Sequence, residues 1–158
     1  MHAGLVVVGL GYVGLPVLIE ASSSGMRCVG LDLDGQKVAA LAAGRSHIDD
    51  ISDEQVARAL AAGASFTTDL SCLGATDAVV ICVPTPLDEH QAPDLSAVMA
   101  VAEAIAPRLV PGALVVLEST TYPGTTDGEL RAILERSGLR AGTDFHLAFS
   151  PERIDPGN

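Results

Sequence analysis

A chain of 158 residues with 48% hydrophobic side chains can bury one substantial core, and it leaves no room for a second domain of ordinary size. Its 20 acidic side chains against 9 basic ones give a formal charge of −11, which repels a phosphate backbone and argues against nucleic acid or an anionic membrane as partner. With aromatics at 3% and no Trp, the core must be built from Val, Leu, Ile and Ala, the composition of a buried parallel sheet.

Leu5-Val6-Val7-Val8 is a short apolar run ending in glycine, as expected of a central strand covered on both faces, and a helix should follow from about Val13. Arg27 to Asp32 reads as a second strand and Gln36 to Ala43 as a second helix, stopped by Gly44. Ser52 and Gln55 have capping-box spacing and open a helix to about Ala62, ahead of a short edge strand from Ala64 to Thr67. Asp77 to Val83 is the next buried strand. Pro84 and Pro86 on either side of Thr85 end it in a loop that continues through an acidic stretch to Asp94. Leu95, Val98, Val101, Ala102, Ile105 and Leu109 recur at helical spacing, with Pro107 in the last turn. Ala113 to Glu118 is a strand, Thr126 to Ser137 a helix with capping-box spacing at Thr126 and Glu129, and Phe145 to Phe149 a last strand. Alternating strands and helices joined by right-handed crossovers predict an α/β fold: a doubly wound, mostly parallel sheet of six core strands with helices on both faces.

Gly9-Leu10-Gly11-Tyr12-Val13-Gly14 is a G-x-G-x-x-G run that leaves the first strand and enters the first helix. Gly9 permits the tight turn, Gly11 lets the backbone approach a pyrophosphate, and Gly14 lets helix and strand pack closely. The helix N-terminus then offers N–H groups and partial positive charge to the phosphates, so the loop reads as a dinucleotide site. Asp32, closing the second strand, stands where a carboxylate accepts from the adenosine ribose hydroxyls, and its charge opposes a 2′-phosphate, which favours NAD over NADP. Asp34 reads instead as a helix N-cap. Thr85, Ser119 and Thr120 follow the fourth and fifth strands, where ligands sit in open α/β sheets, although turn chemistry accounts for the same residue types.

Cys28, Cys72 and Cys82 are odd in number and set among apolar residues, so they form neither a disulfide framework nor a metal or redox pair, and a reducing, cytoplasmic compartment is expected. None is expected to act as a nucleophile, because an apolar setting disfavours the thiolate. His2, His47, His90 and His146 show no ligand spacing and read as surface or core residues, and no metal site is predicted. The apolar stretch from Leu5 to Ile19 is not preceded by a basic region, is interrupted by glycines and is too short to cross a bilayer as a helix.

Four motifs in order, Gly-Leu-Gly-Tyr-Val-Gly-Leu-Pro at 9–16, Cys-Val-Pro-Thr-Pro at 82–86, Glu-Ser-Thr-Thr-Tyr-Pro-Gly-Thr-Thr at 118–126 and Ser-Pro-Glu-Arg-Ile-Asp-Pro-Gly at 150–157, resemble the UDP-glucose/GDP-mannose dehydrogenase family. The likeness covers the whole chain but only the amino-terminal, dinucleotide-binding domain of that family. The closing Pro-Glu-Arg-x-x-Pro-Gly resembles the branch acting on UDP-N-acetylmannosamine or UDP-N-acetylglucosamine, whereas the UDP-glucose and GDP-mannose branches typically carry Pro-Glu-Phe-Leu.

The resemblance implies oxidation of a nucleotide sugar's C6 alcohol to a carboxylate by two NAD, through an aldehyde and a cysteine thioester, in polysaccharide biosynthesis. It places Leu10, Tyr12 and Val13 with the glycines against NAD, and Lys37, Val83, Pro84, Thr85 and Ser119 on the cofactor side. Thr120 falls beside both cofactor and reacting centre. Thr120 and Glu152 match residues that orient water and assist proton transfer, and Glu152 and Arg153 face the substrate. It also implies that the nucleophilic cysteine, a catalytic lysine and asparagine, a central dimerisation helix and a UDP-sugar domain lie beyond residue 158, so that the domain alone binds NAD without turnover and the whole enzyme is a homodimer. Two further readings stay open on the sequence. A β-hydroxyacid dehydrogenase domain also opens with a strand and a Gly-rich turn, but it does not predict the closing motif, and a non-catalytic NAD-binding module remains an alternative.

Overall fold

In the computed structural model, which describes residues 4–74 and 76–151, six short strands form one sheet: β1 Leu5–Val8, β2 Cys28–Leu31, β3 Ser65–Thr67, β4 Ala78–Ile81, β5 Leu114–Leu117 and β6 His146–Phe149. The spatial order is β3-β2-β1-β4-β5-β6, and every pairing is parallel. Parallel neighbours need crossovers, supplied here by α1 Gly14–Ser23, α2 Gly35–Ala42, α3 Asp53–Ala61, α4 Ser96–Ile105 and α5 Arg131–Leu134. The chain winds outward from β1 to β3, then returns to the other side of β1 to lay down β4, β5 and β6. That reversal opens a crevice at the carboxyl ends of β1 and β4, where open α/β sheets bind ligands.

Side chains alternate across the sheet, so β1 feeds two cores. Val6 and Val8 pack with Val79, Ile81, Val115 and Leu117 beneath α4 and α5, while Leu5 and Val7 pack with α1 and α3 on the opposite face. Leu15, Leu18 and Val56 are fully buried on that second face, and truncating one such leucine to Ala costs about 2–5 kcal/mol. Gly30 is part of this packing: a Cβ there would come within 2.8 Å of Phe66 and 2.9 Å of both Leu10 and Leu18. The missing side chain on β2 lets Leu10 and α1 settle onto the sheet.

The predicted start and stop signals act largely as read. Asp34 caps α2 by accepting from the N–H groups of Gln36 and Lys37, and Ser52 and Gln55 form a reciprocal capping box on α3. Three segments differ. The helix read from Leu95 to Leu109 becomes 3-10 at Ala106–Arg108, because Pro107 has no N–H to continue the α-helical ladder.

The second difference corrects the capping box read at Thr126. The chain is already helical at Thr125, whose hydroxyl donates to the Tyr122 carbonyl, and no side chain caps the segment. Thr126–Leu130 is a wide π-type turn in which Leu130 N–H reaches the Thr125 carbonyl, ahead of α5 and a closing 3-10 turn at Glu135–Ser137. Finally, the unassigned stretch after β3 holds a 3-10 turn, Leu70–Leu73, capped by Asp69.

Candidate functional site

The β1–α1 loop enters the crevice and is built around three glycines with different physical reasons. Gly9 has φ +90°, and a Cβ on it would lie 2.6 Å from the Cys82 carbonyl oxygen, so the fold itself forbids a side chain. At Gly14 a Cβ would fall 1.7 Å from the Gly9 carbonyl oxygen, the mark of a helix seated hard against the turn. Gly11 is unlike both: a Cβ there would meet no heavy atom within 4 Å. Nothing in the protein's own packing requires glycine at position 11, and the space its side chain would take lies open to a ligand. No side chain caps α1; Leu15 N–H already donates to the Gly11 carbonyl and Pro16 has no N–H, so the donors open to such a ligand are those of the loop that leads into the helix.

Asp32, just past β2, is tied into this loop. Its Oδ2 accepts from Leu10 N–H at 2.9 Å and from Lys37 Nζ at 2.9 Å, and its Oδ1 accepts from Asp34 N–H at 3.0 Å. Burial pushes the carboxyl up, but these donors and the Lys37 ammonium outweigh it, and Asp32 sits below the ordinary aspartate value. Lys37 is thus held by ion pairing at the mouth of the crevice, its side chain 25% exposed against 12% for Asp32.

A groove of about 440 Å³ runs from these residues across the sheet edge, within the range of about 300–1,000 Å³ common for small-molecule sites. Val8, Gly9, Asp32 and Lys37 form one wall with Leu33, which is 82% exposed. Ala97, Ala100, Val101 and Ala104 of α4 form the facing wall, with Leu70, Val83 and Pro84 between. The result is an apolar slot with one carboxylate and one ammonium at its rim, suited to a flat heterocycle joined to a hydroxylated sugar. Leu33, Leu70 and the α4 wall were not singled out by motif. The i, i+3, i+4, i+7 spacing of 97, 100, 101 and 104 is the signal that reveals the last: a second apolar stripe beside the core-facing Val98, Ala102 and Ile105.

Beyond β4 and β5, Ser119 and Thr85 bind two loops to each other. Ser119 Oγ donates to the Val83 carbonyl at 2.8 Å, and Thr85 Oγ1 donates to the Thr120 carbonyl at 2.6 Å. Both hydroxyl protons are committed internally, leaving their oxygens to accept. Thr120 itself is exposed, as is Tyr12, whereas the Leu10 side chain is fully buried and its N–H is spent on Asp32, so Leu10 shapes the loop from beneath. Val13 is half-buried at the N-cap of α1. Glu152 and Arg153 lie outside the described residues.

Sequence reasoning also passed over His47. Its Nε2 lies 2.7 Å from the Leu10 carbonyl oxygen, across 37 residues of chain. Cys28, Cys72 and Cys82 carry no disulfide, and burial pushes the thiols of Cys28 and Cys72 up. No three or more His, Cys, Asp or Glu side chains converge on a possible metal position among the described residues, and none of the described helices is long and apolar enough to cross a membrane.

A glycine turn at the reversal point of an all-parallel sheet, its ligand-facing side left open at Gly11 and an acidic side chain closing β2, defines a dinucleotide-binding Rossmann domain. Similar known proteins narrow this class. Residues 3–158 match the UDP-glucose/GDP-mannose dehydrogenase family, NAD binding domain, and the chain belongs to that family, with NAD as its cofactor. The UDP-N-acetyl-D-glucosamine 6-dehydrogenase of Pseudomonas aeruginosa is 40% identical over 96% of this chain and 36% of its own length. The UDP-N-acetyl-D-mannosamine dehydrogenase of Pyrococcus horikoshii is 38% identical over 97% of this chain and 37% of its own. A solved structure of UDP-D-ManNAc dehydrogenase from Pyrococcus horikoshii superposes with a TM-score of 0.89 at 37% identity, covering 97% of this chain and 37% of that one. The chain therefore spans little more than a third of the length of these relatives.

Proposed function

We propose that residues 1–158 are the dinucleotide-binding domain of a nucleotide-sugar 6-dehydrogenase that oxidises the C6 alcohol of a UDP-N-acetylhexosamine to the uronate. The observation that carries the reading is the unfilled space at Gly11 beside an uncapped helix start, with Asp32 fixed at the adjoining strand end. NAD, when bound, supplies the hydride acceptor, and two equivalents are needed to take an alcohol to a carboxylate.

The chain's own residues bind and orient. Loop N–H groups take the pyrophosphate, Asp32 accepts from the adenosine ribose, and the slot between Leu33 and the α4 alanines holds the adenine. Val83 and Pro84 line that same slot, and Thr85 and Ser119 shape the surface under the far half of the cofactor. Thr120, exposed beyond β5, orients water at the reacting centre, with Glu152 assisting proton transfer and Arg153 contacting the substrate. Burial raises the thiols of Cys28 and Cys72, which disfavours either as the nucleophile; a nucleophilic cysteine, a UDP-sugar domain and a dimer interface supplied by further residues of a longer enzyme belong to the same reading, in line with relatives of which this chain spans little more than a third. The N-acetylhexosamine is supported by the Pro-Glu-Arg-x-x-Pro-Gly motif and by the names of the relatives above. A cytoplasmic setting is part of the same reading.

The test is to supply the intact enzyme carrying this domain with NAD⁺ and UDP-N-acetylmannosamine, UDP-N-acetylglucosamine, UDP-glucose or GDP-mannose, and to follow NADH. Two NADH per UDP-N-acetylhexosamine, with little from the other sugars, is expected. Turnover of a 3-hydroxy acid with none of any nucleotide sugar would overturn the assignment.

A further inference from the structure

The two polar backbone groups of Leu10 are both held by side chains from elsewhere in the fold. Its N–H donates to Asp32, and its carbonyl oxygen lies 2.7 Å from His47 Nε2. A carbonyl oxygen only accepts, so His47 Nε2 carries the proton in this contact. The Leu10 carbonyl and the Gly11 N–H belong to one planar trans peptide, so fixing the oxygen fixes where the Gly11 N–H points.

His47 is presented firmly enough to do this. It sits in the connection between α2 and α3, where Ser46 N–H donates to Asp53 Oδ1 at 2.7 Å and Ser46 Oγ donates to the Ile48 carbonyl at 3.0 Å. Ile48 and Ile51 bury into the core that holds Leu10, Leu15 and Leu18. The connection is thereby fastened both by hydrogen bonds and by packing, and the imidazole reaches from it to the glycine loop.

We infer that His47 is a positioning residue for the coenzyme: it locks the Leu10–Gly11 peptide in the orientation that leaves the loop's donors facing the pyrophosphate. The fold does not need this bond to form its core, since Leu10 is held by its own buried side chain over Gly30. What the bond supplies is preorganisation, an ordering of the empty loop that would otherwise be left to the ligand to impose. The inference rests on the NAD-binding reading of the loop.

The test compares wild type, His47→Ala, His47→Asn and His47→Gln by titration with NADH, ADP-ribose and adenosine, each variant also being melted. Gln places its amide nitrogen near the position of Nε2, whereas Asn reaches only as far as Nδ1. Loss of one hydrogen bond predicts NADH and ADP-ribose weakened about three- to tenfold in the Ala and Asn variants and restored to within about twofold by Gln. Adenosine affinity should stay at the wild-type value, and any fall in melting temperature should be no larger than that of Ser119→Ala, which likewise leaves one carbonyl without its donor.

Should His47→Ala fail to fold, the contrast between Asn and Gln carries the test unaided. Equal affinity in Asn and Gln, or a loss that falls on adenosine as heavily as on ADP-ribose, would overturn the positioning role while leaving the dinucleotide site intact. A wild-type protein that binds neither NADH nor ADP-ribose would overturn both.

Discussion

The two halves of the sheet's carboxyl edge are built differently. At β1 and β2 the loop is clamped from three sides, by Asp32 and His47 on Leu10 and by the carbonyl of Cys82 against Gly9, and it borders a formed groove. At β4 and β5 two hydroxyls tie one loop to another, and the surface beside them carries Tyr122 at 43% and Phe149 at 47% exposure. Under the proposed function, the first half receives the adenosine diphosphate end of the cofactor, and the second is a platform with open aromatic faces beside the reacting centre. That reading makes binding and chemistry separable.

Several substitutions can break that comparison. The largest effect is expected at Gly14, where even the Cβ of Ala would strike the Gly9 carbonyl at 1.7 Å: Gly14→Ala should cost more than about 3 kcal/mol in a thermal melt and abolish NADH binding with it. Gly11→Val separates the two properties. Its open side predicts a melting temperature near wild type with NADH binding weakened by about 2 kcal/mol or more. A Gly11 variant that binds normally would remove the loop from the site.

Asp32→Ala comes next, lowering NADH affinity by about 1–3 kcal/mol in calorimetric titration, the scale of hydrogen bonds to a charged acceptor. Asp32→Asn should in addition raise NADPH affinity relative to NADH, because the Lys37 ammonium at 2.9 Å loses its counter-charge and is left to meet a 2′-phosphate. An unchanged NADPH to NADH ratio would show that Lys37 takes no part in discrimination.

On the other half, Ser119→Ala should lower stability by about 0.5–1.5 kcal/mol by leaving the Val83 carbonyl without its donor, while ADP-ribose binds as before. A fall in ADP-ribose affinity would show that the halves are coupled. The smallest effect is with pH. The folded state holds Asp32 below its ordinary value, so its contribution is present above the unfolded aspartate pKa of about 3.9 and is lost only as pH falls through the lower folded value. NADH affinity should therefore change by less than about twofold between pH 7 and about pH 5.

The sequence carried the fold well because its signals were periodic and local. Short apolar runs such as Leu5–Val8, between Gly4 and Gly9, and the run that holds Ala78–Ile81, ended by Pro84, can hardly be placed anywhere but in buried parallel strands. Side-chain caps at Asp34 and Ser52 fixed two helix starts. Thr126 misled because capping-box spacing says nothing of where the chain turns helical, and Pro123-Gly124, with φ +94° at Gly124, delivers it already wound.

Within the site, the glycines and Asp32 were legible because each stands at a fixed offset within one strand–turn–helix–strand unit, where Gly9 and Gly14 answer to the backbone and Gly11 and Asp32 to a ligand. His47 and Leu70 were not. Their roles depend on where separate crossovers bring them, and the contact of His47 with Leu10 spans 37 residues without any local pattern to announce it. The clasp of Ser119 on Val83 and of Thr85 on Thr120 was hidden for the same reason, since it joins the ends of two strands that only the sheet makes neighbours.

Crystals of the protein grown with NAD offer the most direct check on the central claim. The pyrophosphate should lie against the backbone at Gly11 with the adenine between Leu33 and the α4 alanines and a ribose hydroxyl on Asp32. A dinucleotide bound elsewhere, with the space beside Gly11 filled by a side chain of the protein itself, would contradict the account.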